Sequence, residues 1–118
     1  MAGKKIQIAT DDGRAPAMLY GQGRNGIILY MDAFGPRPAM FQMAERMADM
    51  GHTVLVPDLF YRSGSYGPFD AKTAFASETT GGQIRAMMGA TTQAMTQADT
   101  AFFLKALDDA GATGSVGT

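Results

Sequence analysis

Asp32 and Asp58 are the side chains best placed for chemistry, because each directly follows an apolar, β-prone run: 27–31, IILYM, before Asp32, and 52–56, HTVLV, before Pro57-Asp58. Loops and helix N-termini converge beyond the carboxyl ends of parallel strands, and ligands bind there. Backbone N–H groups from Ala33 onward, ahead of a helix N-terminus, add a place for negative charge. Asp58 has a second reading, as the cap of its own turn through its side chain. Arg62, four residues past Pro57-Asp58, reads either as a solvated loop charge or as a fork for a carboxylate.

A complete nucleophilic triad is not present in the chain. A nucleophile elbow takes the form Gly-x-Ser-x-Gly, since its strained strand-to-helix turn leaves no room for flanking side chains. Ser65 has Gly67 after it but Ser63 before it, and Ser115 has Gly117 after it but Thr113 before it. The one histidine, His52, precedes a strand and so falls at the sheet edge opposite Asp32 and Asp58. No Ser-His-Asp constellation assembles from these residues. GATGSVG at 111–117 follows a helix and lacks a Lys-Ser/Thr finish, which argues against a phosphate loop. Asp32 and Asp58 lack a matching third ligand, so no metal site is expected.

The elements that position these residues follow from periodicity. Residues 4–9 alternate, Thr10-Asp11-Asp12-Gly13 turns, and 17–21 form a second strand, predicting a hairpin. After Gly23-Arg24-Asn25-Gly26 comes the strand 27–31, broken by Phe34-Gly35-Pro36-Arg37-Pro38. From Ala39 the spacing is helical, with Met40, Met43, Ala44, Met47 and Met50 inward, Arg37, Glu45, Arg46 and Asp49 outside, and Gly51 as the C-terminal cap. With the strand 52–56 this makes a right-handed βαβ unit. Residues 59–80 read as a long loop with a short helix, and 81–95 as a glycine-weakened helix. A second helix is predicted from Thr96, as cap with Asp99 in its first turn, to Gly111, with Phe102, Phe103, Ala106, Leu107 and Ala110 inward. Residues 114–118 begin another strand.

Composition bounds the function. The chain has 118 residues, a net charge of -1, 18% charged residues and no cysteine. One domain, 1–118, is expected. Nothing in the charge favours a nucleic-acid partner, and no apolar run approaches the ~18 residues that span a bilayer. The absence of cysteine fits the cytoplasm and removes a thiol nucleophile and a disulfide framework from this stretch. Ten methionines read as adaptable core filling.

Residues 27–62, IILYMDAFGPRPAMFQMAERMADMGHTVLVPDLFYR, resemble the dienelactone hydrolase family of α/β-hydrolases. The shared features are an apolar strand, an acid-x-Phe-Gly turn, a helix ending in Gly, and a strand ending in Pro-Asp-Leu-Phe/Tyr-x-Arg. The resemblance implies a three-layer α/β/α fold with a mostly parallel sheet, an N-terminal antiparallel hairpin and strand order 1-2-4-3-5. It places the nucleophile, acid and histidine beyond Thr118, so that this chain alone would be silent. It implies that Ala33 offers a backbone N–H to the oxyanion hole, and that Asp32 matches an acid, commonly Glu, beside the nucleophile. Phe34 would line the substrate pocket and Arg62 would hold the substrate's carboxylate. The activity implied is hydrolysis of a small ester or lactone through an acyl-enzyme, without a cofactor. A C-terminal half or a second copy could pair along the 114–118 edge. The rival expectation is a flavodoxin-like module binding a small ligand or Mg²⁺ at the Asp32/Asp58 edge; a third is a structural fragment that persists as an oligomer.

Overall fold

The computed structural model describes residues 3–64, 66, 69 and 72–118; Ser65, Gly67 and Pro68 lie outside the described residues. Five strands form one sheet in the order β1-β2-β4-β3-β5. β1 (Lys4–Thr10) and β2 (Gly13–Tyr20) are joined by the turn at Asp11-Asp12, and Thr10 pairs with Gly13 in the register. Gly13 holds a φ of +140°, which a side chain would oppose. β2 therefore starts at the turn itself, earlier than the strand-like run at 17–21 indicates.

β3 (Gly26–Ile28) and β4 (Thr53–Pro57) run parallel and β5 (Val116–Gly117) extends β3 in parallel, whereas β1–β2 and β2–β4 are antiparallel. The sheet is thus mixed, with parallel and antiparallel pairings in equal number, where a mostly parallel one was expected. β3 is shorter than the apolar run. Leu29 N–H still donates to the Leu55 carbonyl at 2.8 Å, but Tyr30 then turns its hydroxyl to Thr100 Oγ1 at 2.8 Å. The chain leaves the sheet there and delivers Asp32 to its edge.

β4 is buried throughout, as its apolar run predicts, and its alternation divides the core. Val54 and Val56 face α1 (Pro38–Asp49) with Tyr20, Met40, Ala44 and Ala48. Leu55 faces the other side with Ile8, Ala17, Ile28 and, from α3 (Gln93–Asp109), Phe103 and Leu107. Thr53, a polar residue among these, donates its hydroxyl to the Gly23 carbonyl at 2.6 Å. That bond removes the cost of burying it.

Three helical assignments need correction. On α1, Met50 is 71% exposed and Met43 also faces solvent, while Ala48 is buried. At 100° per residue the sheet-facing stripe centres between Met40, Ala44 and Ala48, and positions 43 and 50 fall on its flank. α2 (Glu78–Ala90) begins before Gly81, capped by the Ser77 side chain, which accepts from Thr80 N–H at 3.4 Å. On α3, Thr92 is the cap, accepting from Met95 N–H at 3.2 Å, so Asp99 lies in the helix body and Ala110 is exposed. The segment between β4 and α2 contains short 3-10 turns at Tyr61–Ser63 and Ala74–Ala76. Among the described residues, no helix is long and apolar enough to cross a membrane.

Candidate functional site

The turn after β3 is built by Asp32. Its Oδ1 accepts from Phe34 N–H at 3.1 Å, its carbonyl accepts from Gly35 N–H at 3.1 Å, and its Oδ2 pairs with Arg37 at 2.5 Å. Arg37 is the N-cap residue of α1, followed by Pro38, so one carboxylate ties the turn to the head of the helix. Burial pushes the Asp32 carboxyl up, but the hydrogen bonds from Arg37 and Phe34 and the Arg37 charge outweigh it and hold the group below its ordinary value. Within this turn the Ala33 N–H finds no acceptor among the described residues, and Ala33 is half-buried. A free, oriented donor at a strand's carboxyl end can stabilise developing negative charge.

Gly35 closes the turn at φ +80°, and a Cβ there would sit 2.8 Å from the Tyr66 ring. Tyr66 in turn donates its hydroxyl to Asp58 Oδ1 at 2.5 Å, and Asp58 Oδ1 also accepts from Phe60 N–H at 2.9 Å. Asp58 therefore caps its own turn, one of its two readings from sequence. Burial raises the Asp58 carboxyl above its ordinary value, and the bonds from Tyr66 and Phe60 offset this only in part. Burial and then the Asp58 hydrogen bond and charge push the Tyr66 phenol up.

A groove of about 670 Å³ runs between this loop and the hairpin. Pro16, Met18, Val56 and Phe41 give it an apolar floor, and Phe34, Asp58, Tyr61 and Tyr66 line its wall. Phe34 thus lines a pocket, and its ring lies edge-on to Phe75 with centroids 5.7 Å apart and under the Arg37 guanidinium at 5.5 Å. Lys5 and Arg14, exposed on the hairpin, stand at the rim.

Arg62 does not line that groove. Its Nε donates to Asp12 Oδ2 at 2.8 Å, and its two terminal nitrogens donate to the Asp99 carboxylate at 2.9 and 3.0 Å. The turn places it against α3 and the β1–β2 hairpin. His52 stands before β4, at the end of the strand away from Asp58 and roughly 20 Å from it by strand rise. Ser115 is also at that far end, where its carbonyl accepts from Gly26 N–H. Among the described residues no three His, Cys, Asp or Glu gather as metal ligands, and Asp32 and Asp58 are each engaged by their own partners.

Sequence reading brought out Asp32, Ala33, Phe34 and Asp58, which the fold places on two adjoining loops. It missed Tyr66, Arg37 as partner of Asp32, and Asp99. Asp99 had a signal: with Phe103 and Leu107 it forms an i, i+4, i+8 stripe on the inward face of α3, and an acid on an apolar stripe must be paired.

Residues 16–116 match the dienelactone hydrolase family. A solved structure of the dienelactone hydrolase type from Klebsiella pneumoniae superposes with a TM-score of 0.69 at 19% identity, covering 98% of this chain and 49% of that one. A dienelactone hydrolase-like promiscuous phosphotriesterase from metagenomic libraries gives 0.55 at 22% identity, covering 98% and 48%. At these identities the likeness is one of fold. No curated protein matches the chain. The chain spans about half the length of the solved structures it resembles. With 16–116 matched and the sheet order β1-β2-β4-β3-β5 in place, the chain belongs to the dienelactone hydrolase family.

Proposed function

We propose that this chain supplies the scaffold and part of the acyl-transfer site of a hydrolase acting on small carboxylic esters or lactones, within the three-layer α/β-hydrolase architecture. Membership of the dienelactone hydrolase family over residues 16–116 carries the reading. In it, a nucleophile outside this chain attacks the ester carbonyl and forms an acyl-enzyme that water then hydrolyses. The Ala33 N–H, unclaimed among the described residues, donates to the oxyanion as the tetrahedral intermediate forms. Asp32 stands beside the nucleophile, on a turn its own bonds to Phe34 and Arg37 keep rigid. Phe34 lines the groove that would take the substrate.

The chain by itself is proposed to be silent, since it has no cysteine and one histidine, at the wrong end of β4. Its partners are then the small ester or lactone and either the other half of the domain or a second copy along β5; nucleic acid is not among them. No cofactor is invoked, and the absence of cysteine accords with the cytoplasm. Among the described residues no group of three His, Cys, Asp or Glu gathers to support the Mg²⁺-binding alternative. The test is p-nitrophenyl acetate hydrolysis: the intact protein encoded by the gene should give a burst of p-nitrophenol followed by turnover, and the 118-residue chain should match buffer. Turnover by the chain alone would remove the division of labour, and an inert intact protein would remove the hydrolase.

A further inference from the structure

The residue expected to receive a substrate carboxylate is already full. All three guanidinium nitrogens of Arg62 lie within 3.0 Å of carboxylate oxygens, two of them on Asp99 in the bidentate geometry that a substrate would otherwise occupy. Asp99 is 2% exposed, in the body of α3, and a buried carboxylate is costly unless its oxygens are satisfied. Here they are: Oδ1 accepts from Tyr61 Oη at 3.1 Å as well as from Arg62, and Oδ2 accepts from Arg62. Tyr61 Oη also lies 2.7 Å from Thr10 Oγ1. One buried acid therefore holds two consecutive residues of the turn after β4, and through them the hairpin.

Withdrawing Arg62 to bind a substrate would strand Asp99 in the core without its countercharge, and a second anion would join two carboxylates already sharing one cation. Resting on the hydrolase reading above, we infer that Arg62 is a positioning residue clasped by Asp99 and Asp12, and that it does not receive a substrate carboxylate. The clasp fixes Tyr61 and, farther along the same segment, the loop from which Tyr66 reaches Asp58.

The experiment reads the chain itself by NMR and needs no turnover, so loss of the hydrolase reading and loss of the clasp remain separate results. Benzoate serves as the carboxylate probe. The Arg62 Nε–Hε resonance should stay in place on benzoate addition and should move in Asp99→Asn. The Tyr66 ring resonances should shift in Asp99→Asn and hold in Leu107→Ala, a destabilising change in the same helix that removes no member of the clasp. A saturable benzoate shift of the Arg62 Nε–Hε resonance in the unaltered chain overturns the inference, and that titration requires no variant to fold. Equal movement of Tyr66 in Leu107→Ala overturns the positioning role.

Discussion

Gly35 and Tyr66 touch at the junction of the two loops that form the site. The tyrosine ring occupies the space where any other residue's Cβ would be, and the glycine holds a φ of +80° that side chains oppose. The contact joins the turn carrying Ala33 to the loop carrying Asp58. Gly35→Ala meets both penalties, so the chain should lose about 1–3 kcal/mol of stability in urea unfolding. Tyr66→Ala should recover only the steric part of that loss in the double variant. Full additivity of the two changes would show that the ring and the glycine are independent.

Asp58 has a raised carboxyl pKa, so the folded chain binds its proton more tightly than the unfolded chain does. Its contribution is therefore fully present below the ordinary value of 3.8 and is lost as pH rises through the raised folded value. Subtracting the stability profile of Asp58→Asn from that of the parent chain should leave a curve that falls with pH across this window. Tyr66→Phe removes a bond that favours the carboxylate, and should push the Asp58 pKa higher still. It should also cost about 1–2 kcal/mol near neutrality. A ¹³C carboxyl titration of Asp58 in both chains checks the direction, and a lower value in Tyr66→Phe would be the contrary result.

Asp32 has the opposite sign. Its folded pKa is depressed, so its stabilising contribution is present above the ordinary carboxylate value and lost as pH falls through the folded one. The pair with Arg37 is open to solvent, with the Asp32 side chain 45% exposed, so the increment is small, about 0.2–1 kcal/mol. Asp32→Asn should cost that amount at neutral pH and low salt, and nothing in acid or at high salt. A larger, salt-insensitive loss would mean that the turn needs the charge itself.

Much of this was legible because it rests on local physics. The apolar run of β4 could be satisfied only by cover on both faces, and Asp32 and Asp58 followed from where the runs end. What was not legible depended on distance in sequence. β3 reads as longer than it is because Tyr30 is as β-prone as its neighbours, while its hydroxyl's partner off the sheet, Thr100, lies seventy residues on. Arg62 looked available because Asp99 and Asp12 lie 37 and 50 residues away. Met43 and Met50 read as inward by hydrophobicity, but at 100° per residue they fall on the flank of the stripe, and small Ala48 takes the buried position.

The start of α3 offers the sharpest check on local reading, since two threonines four residues apart compete for one cap. Thr96 has an acid three residues later, and by pattern alone is the stronger candidate. Yet Thr92 has the extended backbone of a cap, at φ -81° and ψ 160°, and its side chain accepts from Met95 N–H, while the Thr96 carbonyl is inside the helix and accepts from Thr100 Oγ1 at 2.9 Å. Asp99 is needed by Arg62 and so cannot serve as a first-turn acid. Thr92→Ala should therefore cost about 1 kcal/mol, measured by urea unfolding, because an N–H of the first turn loses its acceptor. Thr96→Ala should be near neutral or slightly stabilising, since alanine is the better helix former inside the first turns. The reverse order of the two would move the helix start by a full turn and place Asp99 in the first turn, as the local pattern alone indicates.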